Sequence, residues 1–91
     1  MSDDELIDRH IEPNPYKSGP SEARLVDSGV SVWAIIMNYY AVNGDAAQVA
    51  EEYEVSPEEV RAALAYYKRN KAAIDARLER LEQMQLELAK P

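Results

Sequence analysis

The sequence predicts a mainly α fold with a tri-helical helix-turn-helix core, a short N-terminal β-hairpin and a long C-terminal helix. Three observations predict it. Apolar residues recur every three or four positions through the second half of the chain, which is the helical period. Asp45 and Ser56 are capping residues that mark two helix starts. No Pro or Gly occurs from Glu58 to Lys90, so that stretch lacks a strong helix breaker.

The chain is predicted to have three parts. Residues 1–22 contain three of the five prolines and little apolar periodicity. We expect an extended flexible arm there, because each Pro disfavours helix at its own position and at the residue before it. Residues 23–81 are predicted to form the β-hairpin and the tri-helical domain. Residues 82–91 are predicted to be a C-terminal helical tail.

The hairpin prediction comes from two short β-prone runs, 24–26 and 30–32, on either side of Asp27-Ser28-Gly29. Gly29 can adopt a positive φ, as a tight hairpin turn requires. An isolated two-stranded unit is marginal in water, so it needs cover from the helices or strands from a second copy of the chain. The candidate dimer-interface residues are Leu25, Val26, Val30, Val32 and Trp33.

Two helices follow the hairpin. The first is predicted over residues 33–43, where the 3.6-residue period places four side chains on one buried face: Trp33, Ile36, Met37 and Tyr40. The Asn43-Gly44 step is a typical helix stop. The second helix is predicted to begin after Asp45, which has a capping-box partner in Gln48, and to end at about Tyr53.

The third helix has the strongest local signal in the chain. Ser56 is its predicted N-cap, Pro57 lies at the first helical position, and Glu59 completes a capping box. The apolar spacing predicts an uninterrupted helix to about Ala89. Its second half would project beyond a small core with a short coiled-coil seam of Ile74, Leu78, Leu81 and Leu88. This tail is either a solvated extension or a partner-binding helix.

The second and third helices have helix-turn-helix spacing, although Glu54 occupies the turn position where Gly is usual. DNA binding does not follow from the spacing. Glu58 and Glu59 lie at the leading end of the would-be recognition helix, where they repel phosphate, and they also stabilise a helix N-terminus through its dipole. The candidate DNA-binding residues are Ser56, Arg61, Lys68 and Arg69.

Composition excludes several classes of function. The chain has no Cys and one His, which removes disulfide scaffolds, thiolate zinc sites and cysteine nucleophiles. We expect no enzymatic activity, cofactor or metal. No apolar run approaches the roughly 20 residues of a membrane helix, and the acidic start does not resemble a signal peptide, so we expect a cytoplasmic protein. The net charge of −7 disfavours binding to polyanions.

Several short segments form a recognisable pattern: Gly29–Ile35, Gly44-Asp45, Val49–Tyr53, Val60–Tyr67 and Ile74-Asp75. Together they resemble the bacterial domain-of-unknown-function 433 family over roughly residues 14–80. The Ala-Leu-Ala-Tyr-Tyr block is the most specific piece. The resemblance implies a short N-terminal β segment, a homeodomain-like tri-helical core, dimerisation, and an antitoxin role opposite a PIN-like ribonuclease toxin. Where family members often carry Gly-Thr-Arg, this chain has Asp27-Ser28-Gly29.

Two functional hypotheses result. The first is an antitoxin-like interaction protein that acts as a homodimer and binds a cognate toxin, with tail cations entering the acidic metal site of the ribonuclease. Its candidate partner-binding residues are Arg77, Leu78, Arg80, Leu81 and Leu88. The alternative is a DNA-binding transcriptional regulator that represses its own operon through the helix-turn-helix.

Overall fold

The computed structural model describes residues 1–89, and the side chains of residues 1–86. Within that range the chain is mainly helical, with a short antiparallel hairpin near the N-terminus and a long C-terminal helix, so the predicted fold class is confirmed. The helices are α1 (Asp3–His10), α2 (Val32–Ala41), α3 (Ala46–Tyr53), α4 (Pro57–Arg69) and α5 (Lys71–Ala89). The strands are β1 (Ile11–Glu12) and β2 (Arg24–Leu25), and a 3-10 turn spans Pro20–Glu22.

The N-terminal segment contains a helix, so the prediction of an extended arm is wrong for residues 3–10. The Ser2 hydroxyl accepts a hydrogen bond from the Glu5 amide and caps α1. Acidic residues fill the first turn and basic residues the last, which suits the helix dipole. Leu6 is buried as α1 packs along α4. One buried apolar side chain gives no periodicity, so the helix was not evident from the sequence.

The predicted strand at 24–26 forms over Arg24–Leu25, but its partner is the earlier segment Ile11–Glu12 and not the predicted run 30–32. β1 pairs with β2 in the register Ile11 opposite Leu25. The run 30–32 supplies only an isolated bridge from Ser31 to Arg24, because Val32 is already the first residue of α2. The tight turn is confirmed, since Gly29 has a φ of 73° and its amide donates to the Leu25 carbonyl at 3.0 Å.

The core lies between α2, α3 and α4, and β2 and the start of α5 close it. Its fully buried large side chains are Leu25, Val32, Ile35, Ile36, Val49, Val60 and Ile74. The predicted buried face of α2 is out of phase, since Met37 is 44% exposed and Tyr40 57% exposed. Apart from Asn38, every side chain of α2 is aliphatic or aromatic, so its hydrophobic pattern does not identify one inner face.

The predicted N-caps of α3 and α4 and the capping box of α4 are confirmed, whereas the capping box predicted at α3 does not form because the Gln48 side chain donates to Glu52. The Asp45 carboxylate accepts from the Gln48 amide at 3.1 Å. The Ser56 hydroxyl accepts from the Glu59 amide at 3.1 Å, and the Glu59 carboxylate accepts from the Ser56 amide at 2.9 Å. Both are local signals within four residues, so the starts of α3 and α4 follow from short-range chemistry.

The predicted uninterrupted third helix is wrong at Asn70, which separates α4 from α5. Its backbone leaves the helical region with a φ of −128°. Its side-chain amide donates to the Tyr66 carbonyl at 3.1 Å, and its own carbonyl accepts from the Ile74 amide at 3.0 Å. Asparagine competes for backbone groups in this way and so disfavours helix interiors. The break turns Ile74 into the core and lays α5 against α2.

Candidate partner-binding surface

The outer face of α4 is covered by α1, which runs antiparallel to it. Asp3 pairs with Lys68 at 3.5 Å, and Asp4 pairs with Arg69. At the other end of α1, His10 Nε2 lies 2.5 Å from the Glu58 carboxylate. Two of the four candidate DNA-binding residues, Lys68 and Arg69, therefore already face carboxylates of the same chain.

Glu58 joins the two helices at the start of α4. The hydrogen bond from His10 lowers the pKa of Glu58 below its ordinary value, and the nearby charges of Arg9 and Arg61 lower it further. A carboxylate held ionised at this position places negative charge at the leading end of α4. That end of the helix is where a DNA reader presents its side chains.

The remaining DNA-binding candidates do not combine into a cationic patch. Ser56 uses its hydroxyl in the capping box. Arg61 is exposed and lines a cleft of about 690 Å³ between α1 and α4, which it shares with Lys68 and Asp3. Because an acid shares this cleft with its two cations, the surface offers little neutralisation to a phosphate backbone.

The predicted dimer-interface residues are split by burial. Leu25 and Val32 have no exposed surface within the single chain, where both belong to the core. Their contact with a second copy stays a prediction. Val26 is exposed, and Val30 and Trp33 are half-buried against the core. The hairpin is covered by the helices of its own chain, which was the other possibility left open by its small size.

Arg77 makes its contacts inside the chain, and its binding to a partner stays a prediction. Its Nε donates to the Glu22 carboxylate at 2.9 Å, and the two side chains are only 16% and 13% exposed. Its guanidinium lies over the Trp33 ring at 4.8 Å. This arrangement ties α5 to the 3-10 turn and to α2. Arg80, by contrast, is exposed.

A groove of about 230 Å³ lies between α2 and α5. Its lining residues are Met37, Tyr40, Leu78, Leu81, Glu82 and Gln85. The structure therefore places the predicted partner-binding residues Leu78 and Leu81 in one surface feature. Beyond the groove α5 continues with exposed Met84 and Leu86. The side chain of Leu88, also predicted to bind a partner, lies outside the described residues.

Met37 and Tyr40 are the functional candidates that the sequence interpretation missed, because it assigned them to the core. The signal that could have found them is the almost wholly apolar composition of α2. A ten-residue helix of that kind buries one face against the core and must present apolar side chains elsewhere as well.

A hydrogen-bonded network fixes the side of the groove near the start of α5. The Tyr67 hydroxyl donates to Asp75 at 2.6 Å, and Lys71 Nζ lies 2.7 Å from the other Asp75 oxygen. With its proton directed at Asp75, Tyr67 accepts from the Tyr40 hydroxyl at 3.1 Å. Burial and then the hydrogen bonds to Asp75 and Tyr40 raise the pKa of Tyr67. The hydrogen bonds from Lys71 and Tyr67 lower the pKa of Asp75.

The net charge of the protein comes from one continuous stretch. Residues 25–60 contain no Lys, Arg or His and seven acids, which equals the net charge of −7, and the rest of the chain has ten acids and ten cations. Glu58 is compensated by α1. Four of the others are exposed on and beside α3: Asp45, Glu51, Glu52 and Glu54. In the described part of the chain, no group of three or more His, Cys or acidic side chains is arranged to hold a metal ion.

Comparisons with known proteins identify one family. A family model described as "Protein of unknown function (DUF433)" matches residues 21–67, a little over half of the chain. The matched range covers α2, α3 and most of α4 and excludes α1 and α5. Neither the curated proteins nor the solved structures contain a match. The helix-turn-helix interpretation of α3 and α4 therefore stays a prediction. Through residue 89, no helix has the length and apolar character that crossing a membrane requires.

Proposed function

We propose that this chain, which belongs to the DUF433 family of proteins of unknown function, is an antitoxin-like interaction protein. In this proposal it binds a partner protein through the groove between α2 and α5. The single observation that carries this proposal is the exposure of Met37 and Tyr40 beside Leu78 and Leu81. Exposed apolar side chains of one helix beside half-buried leucines of another are typical of a surface that another protein covers.

The long α5 helix supports the same proposal. Its first part packs on the core through Ile74 and Leu78, and every side chain from Glu82 to Leu86 is exposed. A helix that is this exposed gains little stability from its own chain. The groove together with the exposed part of α5 presents a partner with a longer surface than the groove alone.

The partner class in this proposal is a ribonuclease toxin of the PIN-like type, as the family resemblance implies. Of the tail cations considered for its acidic metal site, Arg80 is the one that is exposed. Binding of Arg80 to those carboxylates would add a charge-assisted contact to the apolar contacts of the groove.

The DNA-binding alternative has less support. The α4 face that would enter a groove of DNA carries α1 on top of it, and Lys68 and Arg69 are paired with acids of α1. Duplex DNA would have to displace α1 and accept Glu58 and Glu59 near its phosphates, both of which cost affinity. A mobility shift with the upstream DNA at low salt, lost on changing Arg61, would favour this alternative over the interaction protein.

Co-expression with the product of the neighbouring gene tests the proposal. We expect a complex that co-purifies and, where the partner is a ribonuclease, inhibition of its RNA cleavage. The variant Met37→Ala/Leu81→Ala should weaken both, because it removes apolar contact area from the groove. Tyr16→Ala is the matched control, since Tyr16 is an exposed aromatic residue outside the groove. A neighbour that neither co-purifies nor is inhibited contradicts the proposal.

Homodimerisation is part of the proposal and has its own measurement. The hydrophobic core of this chain is small, and small domains gain stability by association. Of the predicted interface residues, Val26 is exposed and Val30 and Trp33 are half-buried, so these three are the ones that a second copy can contact. We expect light scattering to give the mass of a dimer at micromolar concentration. A folded monomer under those conditions contradicts dimerisation without affecting the partner-binding test.

A further inference from the structure

We infer that the occupant of the groove between α2 and α5 is a cationic amphipathic helix of the partner, with apolar residues facing the groove and Lys or Arg along its edges. The inference deepens the proposed function by stating the chemistry of the partner segment, and it rests on that function. Its evidence is the shape of the groove, the charge around it and the pairing of two cations of α5.

The shape of the groove suits a helix. Two helices form its walls, and Met37, Leu78 and Leu81 supply apolar surface from both. A volume of about 230 Å³ holds one or two large apolar side chains rather than a folded domain. Helices bind such grooves through apolar anchors at i, i+3, i+4 and i+7, with their polar face outward.

The acidic residues around the groove favour a positively charged partner segment. Glu82 lines the groove on the α5 side. On the other side of α2, Asn38 follows Met37 in the chain and donates to Glu52 at 2.6 Å, which places a carboxylate of α3 beside α2. Residues 25–60, which include all of α2 and α3, have no cation. A partner edge of Lys or Arg would meet uncompensated carboxylates on both sides.

Two cations of α5, Lys71 and Arg77, are already paired with acids of the same chain. Lys71 is paired with Asp75, and Arg77 is paired with Glu22 and stacked on Trp33. Arg80 is exposed, but it is not among the residues that line the groove. Glu82 therefore lines the groove without an ion pair among the described residues.

The same charge argues against a second copy of the chain in the groove. Two copies related by a twofold axis would bring two cation-free α2–α3 surfaces together, and like charges across an interface cost affinity. An anionic membrane surface is disfavoured for the same reason. A cationic helix is the occupant that the apolar lining and the surrounding charge both favour.

The test uses the full chain and two synthetic helical peptides. One peptide is an amphipathic helix of Leu, Ala and Lys, with Leu at helical spacing, and the matched peptide has Glu in place of every Lys. Amide chemical shifts of the isotopically labelled protein report both the affinity and the location of binding. We expect the Lys peptide to shift the amides of Met37, Tyr40, Leu78 and Leu81, and the Glu peptide to leave them unchanged.

Variants of the protein separate charge from shape. Glu82→Lys should weaken binding of the Lys peptide roughly fivefold, as expected for reversal of an edge charge. Asp8→Lys changes the net charge equally at an exposed position of α1 and should change the affinity less than about twofold. Met37→Ala should weaken binding roughly tenfold through lost apolar contact, and Tyr16→Ala, at an exposed position outside the groove, should have no effect.

Three results would overturn the inference. They are equal binding of the two peptides, equal effects of Glu82→Lys and Asp8→Lys, and shifts confined to residues outside the groove. Concentration-dependent shifts of the groove amides without peptide would also overturn it, because they would identify a second copy as the occupant.

The outcome is independent of the test of the proposed function. If the peptide binds as expected and the neighbouring gene product does not co-purify, the inference stands and the proposed function fails. If that product co-purifies with the wild-type and Glu82→Lys chains equally well and is lost from the Met37→Ala chain, the proposed function stands and the inference fails.

Discussion

At the scale of single residues, Glu54 shows how the turn between α3 and α4 is made. It has a left-handed backbone with φ 55° and ψ 44°, and its amide donates to carbonyls at the end of α3. Residues other than Gly adopt this conformation at a cost of roughly 1 kcal/mol. Helix-turn-helix proteins usually have Gly at this turn position. Here Glu54 adopts the left-handed backbone that Gly would adopt.

Replacing Glu54 with Gly should therefore stabilise the protein. We expect Glu54→Gly to raise the free energy of unfolding by about 0.5–1 kcal/mol, since relief of the left-handed backbone outweighs the extra unfolded-state entropy of Gly. Urea denaturation measures the change. Glu54→Ala is the control, because it removes the same charge and keeps the backbone cost. Equal stabilities of the two variants would mean that charge, and not backbone conformation, determines the effect.

At the scale of elements, the joint between α4 and α5 depends on side chains from both helices and from α2. Asp75 accepts hydrogen bonds from Tyr67 and Lys71, and Tyr40 contacts Tyr67. These bonds favour the ionised form of Asp75 and lower its pKa. A carboxylate whose pKa is lowered by folding stabilises the folded state fully above its unfolded pKa, and that contribution is lost as the pH falls through the folded pKa.

The contribution of Asp75 gives the joint a defined acid sensitivity. We expect Asp75→Asn to lower the free energy of unfolding at pH 7 by roughly 1 kcal/mol, a small value because Asp75 is partly solvated. The difference from the wild type should shrink as the pH falls below about 4, where Asp75 of the unfolded chain takes up its proton. Urea denaturation between neutral and acidic pH measures it. Glu79→Gln, an exposed position on the same helix, should leave the pH profile unchanged, and a constant difference for Asp75→Asn would contradict the assignment.

The elements that the sequence predicted correctly are those with local signals. Asp45 and Ser56 bond to amides three residues ahead, so the starts of α3 and α4 require no knowledge of the rest of the fold. α1 was missed because Leu6 is buried only against α4, which lies more than forty residues away in the chain. The break at Asn70 was missed because no Gly or Pro marks it, and a side-chain hydrogen bond replaces the usual breaker.

The candidate surface was predictable only in part for the same reason. Leu78 and Leu81 follow from spacing along one helix, but Met37 joins them only through the packing of α5 on α2. In the sequence, Arg77 resembles an ordinary surface cation. Its pairing with Glu22, 55 residues away in the chain, could not be predicted from local spacing. Single-sequence patterns report on neighbours along a helix, whereas these contacts depend on which helices meet.

At the scale of the whole molecule, the family-matched region does not contain all of the core. The match ends at residue 67, while Ile74 of α5 is fully buried, and Leu6 of α1 lies before its start and is also buried. Elements on both sides of the matched region thus complete the packing of α2, α3 and α4. The buried apolar residues therefore extend into α1 and α5.

Removal of residues 1–12 should accordingly weaken the whole fold. We expect the shortened chain to lose at least about 2 kcal/mol of unfolding free energy, because the apolar contact of Leu6 with α4 and the pairing of β1 with β2 are lost. The full-length variant Leu6→Ala should lose a comparable amount from the apolar contact alone. Urea denaturation of both measures this. A shortened chain as stable as the full one would show that α1 is dispensable to the core.

Because α5 is long, a small change in its direction at the break at Asn70 displaces its far end by a large distance. The helix has 19 residues and is therefore about 28 Å long. A change of about 10° in its direction at the joint would move its far end by roughly 5 Å, about one helical turn. Close to the joint, the start of α5 is held by the contacts of Asp75 with Tyr67 and Lys71. The distance between the groove and the distal part of α5, and hence the shape of the partner that fits both, is set by residues that the partner itself does not touch.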